Sequence, residues 1–281
     1  MPGTPLLVAS IAGTALAALQ LARRRRDERE AEAAWARLRD APPRPGRFDA
    51  AMVAELPEPA RRFLRFAILP GARLATVVEI AMDGELSLGT RDDPGYRPMQ
   101  AEQILAAPQG LVWRVRIGSG LLRVSGSDGL VGDRSWTRFW MLGTVPVVRA
   151  GGDADHLRSS FGRAIAEAAF WAPASLLPGP GIAWTEVDAD TARVTVTRGD
   201  LSQQVDIRVD AEGRPSRVGM QRWTDANPQR VFRLQPFGGE LSDFRPVDGF
   251  RIPHRVDGGN FFGTPDYFPF YRARLTSVRF P

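Results

Sequence analysis

From Thr76 onward, apolar and polar residues alternate with a period of two. Val78, Ile80 and Met82, then Trp113, Val115 and Ile117, then Val194 and Val196, then Val205, Ile207 and Val209, then Val218 and Met220 each line up on one side of an extended chain. That is the pattern of half-buried strands. Turn signals punctuate these runs at Asp83-Gly84, Ser127-Asp128-Gly129, Asp188-Ala189-Asp190, Arg198-Gly199-Asp200, Glu212-Gly213 and Asp248-Gly249. Strands joined this closely pair antiparallel, because a parallel pair needs a long crossover. The pattern predicts a meandering antiparallel sheet.

Helical spacing breaks in at two places. Residues 48–69 read as one or two short helices, interrupted by Pro57 and Pro59, with Phe63, Leu64, Ala67 and Ile68 as the apolar stripe. Between two groups of strands, a second helix starts at a cap on Asp153 or Asp155 and ends near Trp171, before Pro173. Leu157, Phe161, Ala164, Ile165 and Ala168 form its apolar stripe, and His156, Ser160, Arg163 and Glu167 form a polar one. The fold class expected is α+β: a curved, half-barrel-like antiparallel sheet packed on this inserted helix, with one face buried and the other wet.

The first residues follow another pattern. Leu6 to Ala22 carries no charge and is followed by Arg23-Arg24-Arg25-Arg26. Its length is at the short end of what spans a bilayer. Basic residues after the apolar run, with none before it, favour a retained anchor over a cleaved signal peptide. By the positive-inside rule they place the main domain in the cytoplasm; an extracytoplasmic domain is the alternative. Asp27 to Asp40 extends the helix, and Ala41-Pro42-Pro43-Arg44-Pro45-Gly46 ends it. The domains expected are a single-pass membrane anchor with a basic stop over 1–26, a helical extension and proline-rich linker over 27–47, and one α+β domain over 48–281.

Composition narrows the chemistry. Without cysteine, thiol catalysis, disulfides and thiolate metal sites are excluded. All 37 basic residues are arginine, yet residues 48–281 hold 28 of them against 27 acids, so the folded part is nearly neutral and no nucleic-acid partner is expected.

Three stretches carry a resemblance: Arg158 to Pro178 (RSSFGRAIAEAAFWAPASLLP), Arg222 to Phe244 (RWTDANPQRVFRLQPFGGELSDF) and Asp248 to Leu275 (DGFRIPHRVDGGNFFGTPDYFPFYRARL). In them the chain resembles an uncharacterised bacterial family known only as a domain of unknown function. More distantly, DGFRIPHRV is similar to the carboxy-terminal strands of the outer-membrane lipoprotein carrier superfamily. That likeness implies an open half-barrel holding acyl chains against an inner helix. The predicted anchor and cytoplasmic side depart from those carriers.

No catalytic constellation stands out. His156 with Ser159 or Ser160 and Asp155 lacks a nucleophile elbow and an oxyanion hole. A metal would have to use His156 and His254 with Asp155, Asp257 or Asp266, and no paired-histidine spacing supports it. Carboxylates drawn from Glu240, Asp243, Asp257 and Asp266 sit at turns and strand ends, where solvated caps are the rule. Neither metal nor cofactor is expected.

Arg163 and Glu167, at i and i+4, either face solvent or pair inside the curved sheet and orient a polar head group. Trp136, Phe139 and Trp140 make both faces of one strand aromatic. Near the end, Phe261, Phe262, Tyr267, Phe268, Phe270 and Tyr271 crowd together around a Gly-Thr-Pro-Asp turn, a wall of the fold whose Asn260 to Tyr267 turn borders a cleft mouth. The function expected is an anchored domain binding a lipid or other hydrophobic ligand in an apolar cleft, with Arg163, Glu167, Trp171, His254, Asn260, Phe262, Asp266 and Tyr267 as ligand-contact candidates. Two alternatives stand: an enzyme on a hydrophobic or membrane-derived substrate using Arg163, Glu167, His254 or Asp266, and an interaction module of a membrane assembly.

Overall fold

The structure, a computed structural model, describes residues 4–281, with side chains described from residue 15 on. Thirteen strands form one antiparallel sheet. From its centre, β1 (Val78–Leu86), β2 (Arg97–Ala106), β3 (Gly110–Ile117), β4 (Val124–Val131), β5 (Arg134–Met141) and β6 (Val145–Gly151) meander out to one edge. Helix α3 (Ala154–Trp171) carries the chain to the other edge. There β7 (Ile182–Asp188), β8 (Thr191–Arg198), β9 (Leu201–Val209), β10 (Pro215–Thr224), β11 (Arg233–Val247), β12 (Phe250–Asn260) and β13 (Phe268–Arg279) meander back, until β13 pairs with β1. One helix linking both edges holds the sheet curved around it, and α3 packs on strands of both halves. Asp153 caps α3, its carboxylate accepting from the His156 backbone N–H at 2.8 Å. Phe161, Ala164, Ile165 and Ala168 are buried against the sheet.

A second helix, α2 (Glu58–Ala67), buries Phe63, Leu64 and Ala67, with Ile68 just beyond it, against β7, β8, β9 and β12. The signal at Asp248-Gly249 is a true hairpin turn, with φ of 49° and 89°, the left-handed pair that a two-residue connection requires. Two other turn signals are corrected. Asp83-Gly84 lies inside β1 and Ser127-Asp128-Gly129 inside β4. Their glycines serve close approach instead of turning: a Cβ on Gly84 would lie 2.0 Å from the Arg272 carbonyl oxygen, and one on Gly129 2.5 Å from the Trp136 ring.

The helical extension expected over 27–40 lies along the folded part. In α1 (Thr4–Arg39), Ala31, Trp35 and Leu38 bury one stripe against Val77, Ile104, Val112 and Trp136 on the outer face of the sheet. Ion pairs and hydrogen bonds frame that stripe. Asp27 accepts from Arg149 at 2.6 Å and from the Trp140 indole at 3.0 Å, and Glu30 accepts from Arg138 at 2.6 Å. At the far end, Glu79 of β1 accepts from Trp35 at 2.9 Å and from Arg39 at 2.6 Å. The outer face is therefore covered over the first half of the sheet, where a wet face was expected. This also accounts for β5, whose Trp136 and Trp140 meet the covering side while Phe139 looks inward.

Upstream of Arg24, α1 projects beyond the sheet with Leu16, Leu19 and Leu21 exposed. Among the described residues no helix is long and apolar enough to cross a membrane. Leu6 to Thr14 of the expected span lies outside the residues whose side chains are described.

Candidate functional site

Between α3 and the concave side of the sheet lies a cavity of about 550 Å³. Arg163, Ala166, Glu167, Phe170 and Trp171 of α3 line it, a spacing that puts all five on one helical face. Trp113, Phe139, Phe237, Phe270 and Tyr271 face them from the strands. Gly239 and Gly258, opposite one another on β11 and β12, leave that wall without side chains. The walls are apolar and aromatic; one end is charged.

That end is built around Arg163, which donates from Nη1 to both Asp128 oxygens at 2.8 Å and from Nε to Glu167 at 2.6 Å. Gln103, fully buried on β2, donates to the other Glu167 oxygen at 2.6 Å. Burial pushes the Arg163 guanidinium down, but Asp128 and Glu167 outweigh it and hold its pKa above the ordinary value. Burial also pushes the Tyr271 hydroxyl up, so it stays neutral as it donates to Met82 Sδ. The polar stripe of α3 thus faces the interior, the second of the two orientations open from sequence.

Beyond the charged layer is a smaller, polar pocket of about 230 Å³ that shares Asp128, Arg163 and Arg222 with the cavity and adds His156, Ser160 and Thr224. His156 lies 2.8 Å from Ser135 Oγ and 3.0 Å from Thr137 Oγ1, with Ser160 Oγ at 3.4 Å. Asp155 points elsewhere, accepting from the Trp223 indole at 2.8 Å. The Ser-His-Asp grouping does not form. Burial lowers the His156 pKa below 6.5, so at pH between the two values the unfolded chain binds the extra proton. The stability this residue contributes is therefore full above pH 6.5 and is lost as pH falls through the lowered folded-state value. Urea denaturation at pH 7.5 and pH 5 is expected to show a smaller acid loss for His156→Gln than for the wild type; equal losses would remove His156 from the account.

Of the residues singled out from sequence, Arg163, Glu167 and Trp171 meet at the cavity. The others do not line it. The His254 ring bonds to the Ile252 carbonyl oxygen at 3.0 Å. Asn260 ends β12, and Phe262 leans over Gly219 and Gly238 and packs on Tyr267 at 5.0 Å between ring centroids. Tyr267 donates to the Asp257 carbonyl oxygen at 3.0 Å, and Asp266 is exposed. Their turn sits beside the loop after β1, held by Arg91 on the Pro265 carbonyl oxygen and by Tyr96 on that of Pro269. The four-residue catalytic cluster of Arg163, Glu167, His254 and Asp266 is corrected: its members are divided between the cavity, a part of β12 that does not line it and an exposed turn. Among the described residues, no group of three or more histidines and carboxylates is placed to hold a metal.

Sequence reasoning missed Asp128, Gln103 and Arg222. Asp128 was hidden by its turn-like neighbours. Arg222 carried a signal, being the next residue on the inward face after Val218 and Met220.

Fold and site together define an α+β protein with an open antiparallel sheet wrapped on one helix, enclosing an apolar cavity with a charged end. The chain belongs to a family of unknown function, DUF6544, whose model matches residues 46–273. Among solved structures it is similar to a LolA superfamily protein from Nitrosomonas europaea, at 12% identity over 79% of this chain and 92% of that one, with a TM-score of 0.41. It is also similar to a domain described as an outer membrane lipoprotein-sorting protein from Vibrio parahaemolyticus, at 10% identity over 73% and 85% of the two chains, with a TM-score of 0.37. No curated protein matches the sequence.

Proposed function

We propose that this chain binds one lipid or similar hydrophobic ligand in the inner cavity. The observation that carries the reading is the cavity itself, about 550 Å³ walled by aromatic and aliphatic side chains. That size lies within the range of roughly 300–1,000 Å³ typical of small-molecule sites. A cavity of about 490 Å³ between α1 and the outer face is lined by charged groups such as Asp27, Glu32, Arg114 and Arg138. Those groups already pair across the helix–sheet seam, so they serve the docked helix.

The mouth supports a membrane setting. Leu86 lies opposite Arg97, Ile117 opposite Val124, and Met141 opposite Val145, so the loops after β1, β3 and β5 sit side by side. They expose Leu88, Leu121, Leu122, Leu142 and Val145, an apolar cluster of the kind that marks interaction surfaces. Arg24 of α1 lies against Gly143 in the third of these loops, so the projecting apolar end of α1 leaves the sheet on that side. Residues 6–22 serve as the anchor in this reading, the arginines sit at the lipid surface, and the mouth faces the bilayer.

Filling the cavity tests the reading. Ala166 is nearly buried and faces the space, so Ala166→Phe should occupy it. Titration with a fluorescent acyl-chain probe is expected to give at least about tenfold weaker binding for the variant at unchanged melting temperature. Equal affinity for the two proteins, or none for either, would sink the reading.

A further inference from the structure

Arg222 is out of keeping with the other buried charges. It projects inward from β10, is half-buried, and lines both the apolar cavity and the polar pocket. Arg163 has Asp128 and Glu167. Among the described residues Arg222 has no carboxylate oxygen within 4.0 Å, its guanidinium donates no hydrogen bond, and its Nε is sealed from solvent without a partner. Its one close neighbour of note is the Phe237 ring, 4.8 Å from the guanidinium carbon. Burial and the like charge of Arg163 push its pKa down to about 10, against the opposing pull of Asp128, Glu167 and Asp225. It remains charged at neutral pH. A half-buried guanidinium without an ion-pair partner gains a charge-assisted pair from any anion placed beside it.

Two further orphans belong to the same wall. The indole N–H groups of Trp113 and Trp171 are buried without acceptors, and both residues line the cavity with Arg222. All three orphan atoms are donors sealed within the wall, whereas the Arg222 Nη groups are not sealed and are the donors a ligand can reach. The inner face of α3 grades accordingly, from His156, Ser159 and Ser160 through Arg163 to Ala166, Phe170 and Trp171. Arg222 stands at the boundary, on the shared wall of the apolar cavity and the polar pocket.

Resting on the hydrophobic-ligand reading, we propose that Arg222 is an anion-binding residue, and that the ligand is an amphiphile whose single anionic head, a carboxylate or a phosphate monoester, pairs with it while its apolar tail fills the cavity. Asp128 and Glu167 both pair with Arg163, so the guanidinium without a direct ion-pair partner at the head site is that of Arg222. A guanidinium suits either head because its planar fork matches both. A neutral amphiphile with the same tail would leave the charge unpaired.

Calorimetric titration of the full chain in mild detergent with oleate, oleyl phosphate and oleyl alcohol separates head from tail. An anionic head is expected to bind at least about tenfold tighter than the alcohol, and Arg222→Gln to abolish that preference while leaving alcohol binding unchanged. Preference for oleyl phosphate over oleate, lost in the same variant, supports the proposal and identifies a phosphate head; the reverse order identifies a carboxylate. Equal affinity for acid, phosphate and alcohol overturns the anion site and leaves the apolar cavity standing. No binding of any of the three overturns the underlying reading as well. The wild-type head-group series decides without any variant. Arg222→Gln also separates roles by melting temperature: an unpaired half-buried charge kept for a ligand predicts an unchanged or higher value, whereas a fall with the head preference intact assigns Arg222 to the fold alone.

Discussion

Replacing Arg163 by leucine is expected to destabilise the protein by about 3–5 kcal/mol, the loss typical of a buried pair deprived of one partner. Asp128 and Glu167 would be left at the cavity end without the cation that pairs with both, and Gln103 would satisfy only one Glu167 oxygen. Their side chains are 20% and 14% exposed, and that of Arg163 is 18% exposed, so solvent screens little of the imbalance. The triple replacement Asp128→Leu, Arg163→Leu, Glu167→Leu is expected to recover most of the loss, because an apolar set of similar volume carries no desolvation penalty. Urea denaturation of the three proteins checks both statements. A change within about 0.5 kcal/mol for the single variant, the size of an ordinary surface substitution, would mean that the charged end is solvated and the cavity wet.

The second large effect concerns α1. Trp35→Ala removes the widest side chain of the outer stripe together with its hydrogen bond to Glu79, a change worth about 3–5 kcal/mol for a buried tryptophan. Because α1 meets the sheet over one face only, the expected outcome is local. The helix undocks, amide exchange accelerates over residues 27–39 and in β2 and β3 beneath them, and the inner core around α3 keeps its protection. Glu79 would lose one of the hydrogen bonds that, against its burial, keep its carboxyl below the ordinary pKa. Protection equal to the wild type would show that α1 does not rest on the sheet in solution.

How legible this was in the sequence depended on whether the signal was local. Alternation found the strands, because Val78, Ile80 and Met82 share one face whatever lies across the sheet. Helical spacing and Pro173 fixed the extent of α3. Arg163 and Glu167 were visible as a pair at i and i+4, but Asp128 joins them from 35 residues away, and its Ser-Asp-Gly setting reads as a turn until Trp136 is seen packed on Gly129. The docking of α1 was hidden for a related reason. Its Ala31, Trp35 and Leu38 stripe is narrow and flanked by charges that read as solvated, while their partners Arg138, Arg149 and Glu79 lie far along the chain. The aromatic turn near the carboxy terminus divided: Phe270 and Tyr271 reach the cavity, whereas Phe262 and Tyr267 pack on each other beside the mouth.

In the proposed function an apolar chain lies inside the sheet, against α3. Photo-crosslinking tests it most directly, using a fatty acid with a diazirine near its tail end, the full protein, and peptide mapping by mass spectrometry. Adducts are expected on the peptides that carry Phe139, Phe170 or Phe237, competed away by unlabelled oleate and absent from Ala166→Phe. Adducts confined to the exposed loops at Leu121, Leu122 and Leu142, with none on the inner wall, would contradict it.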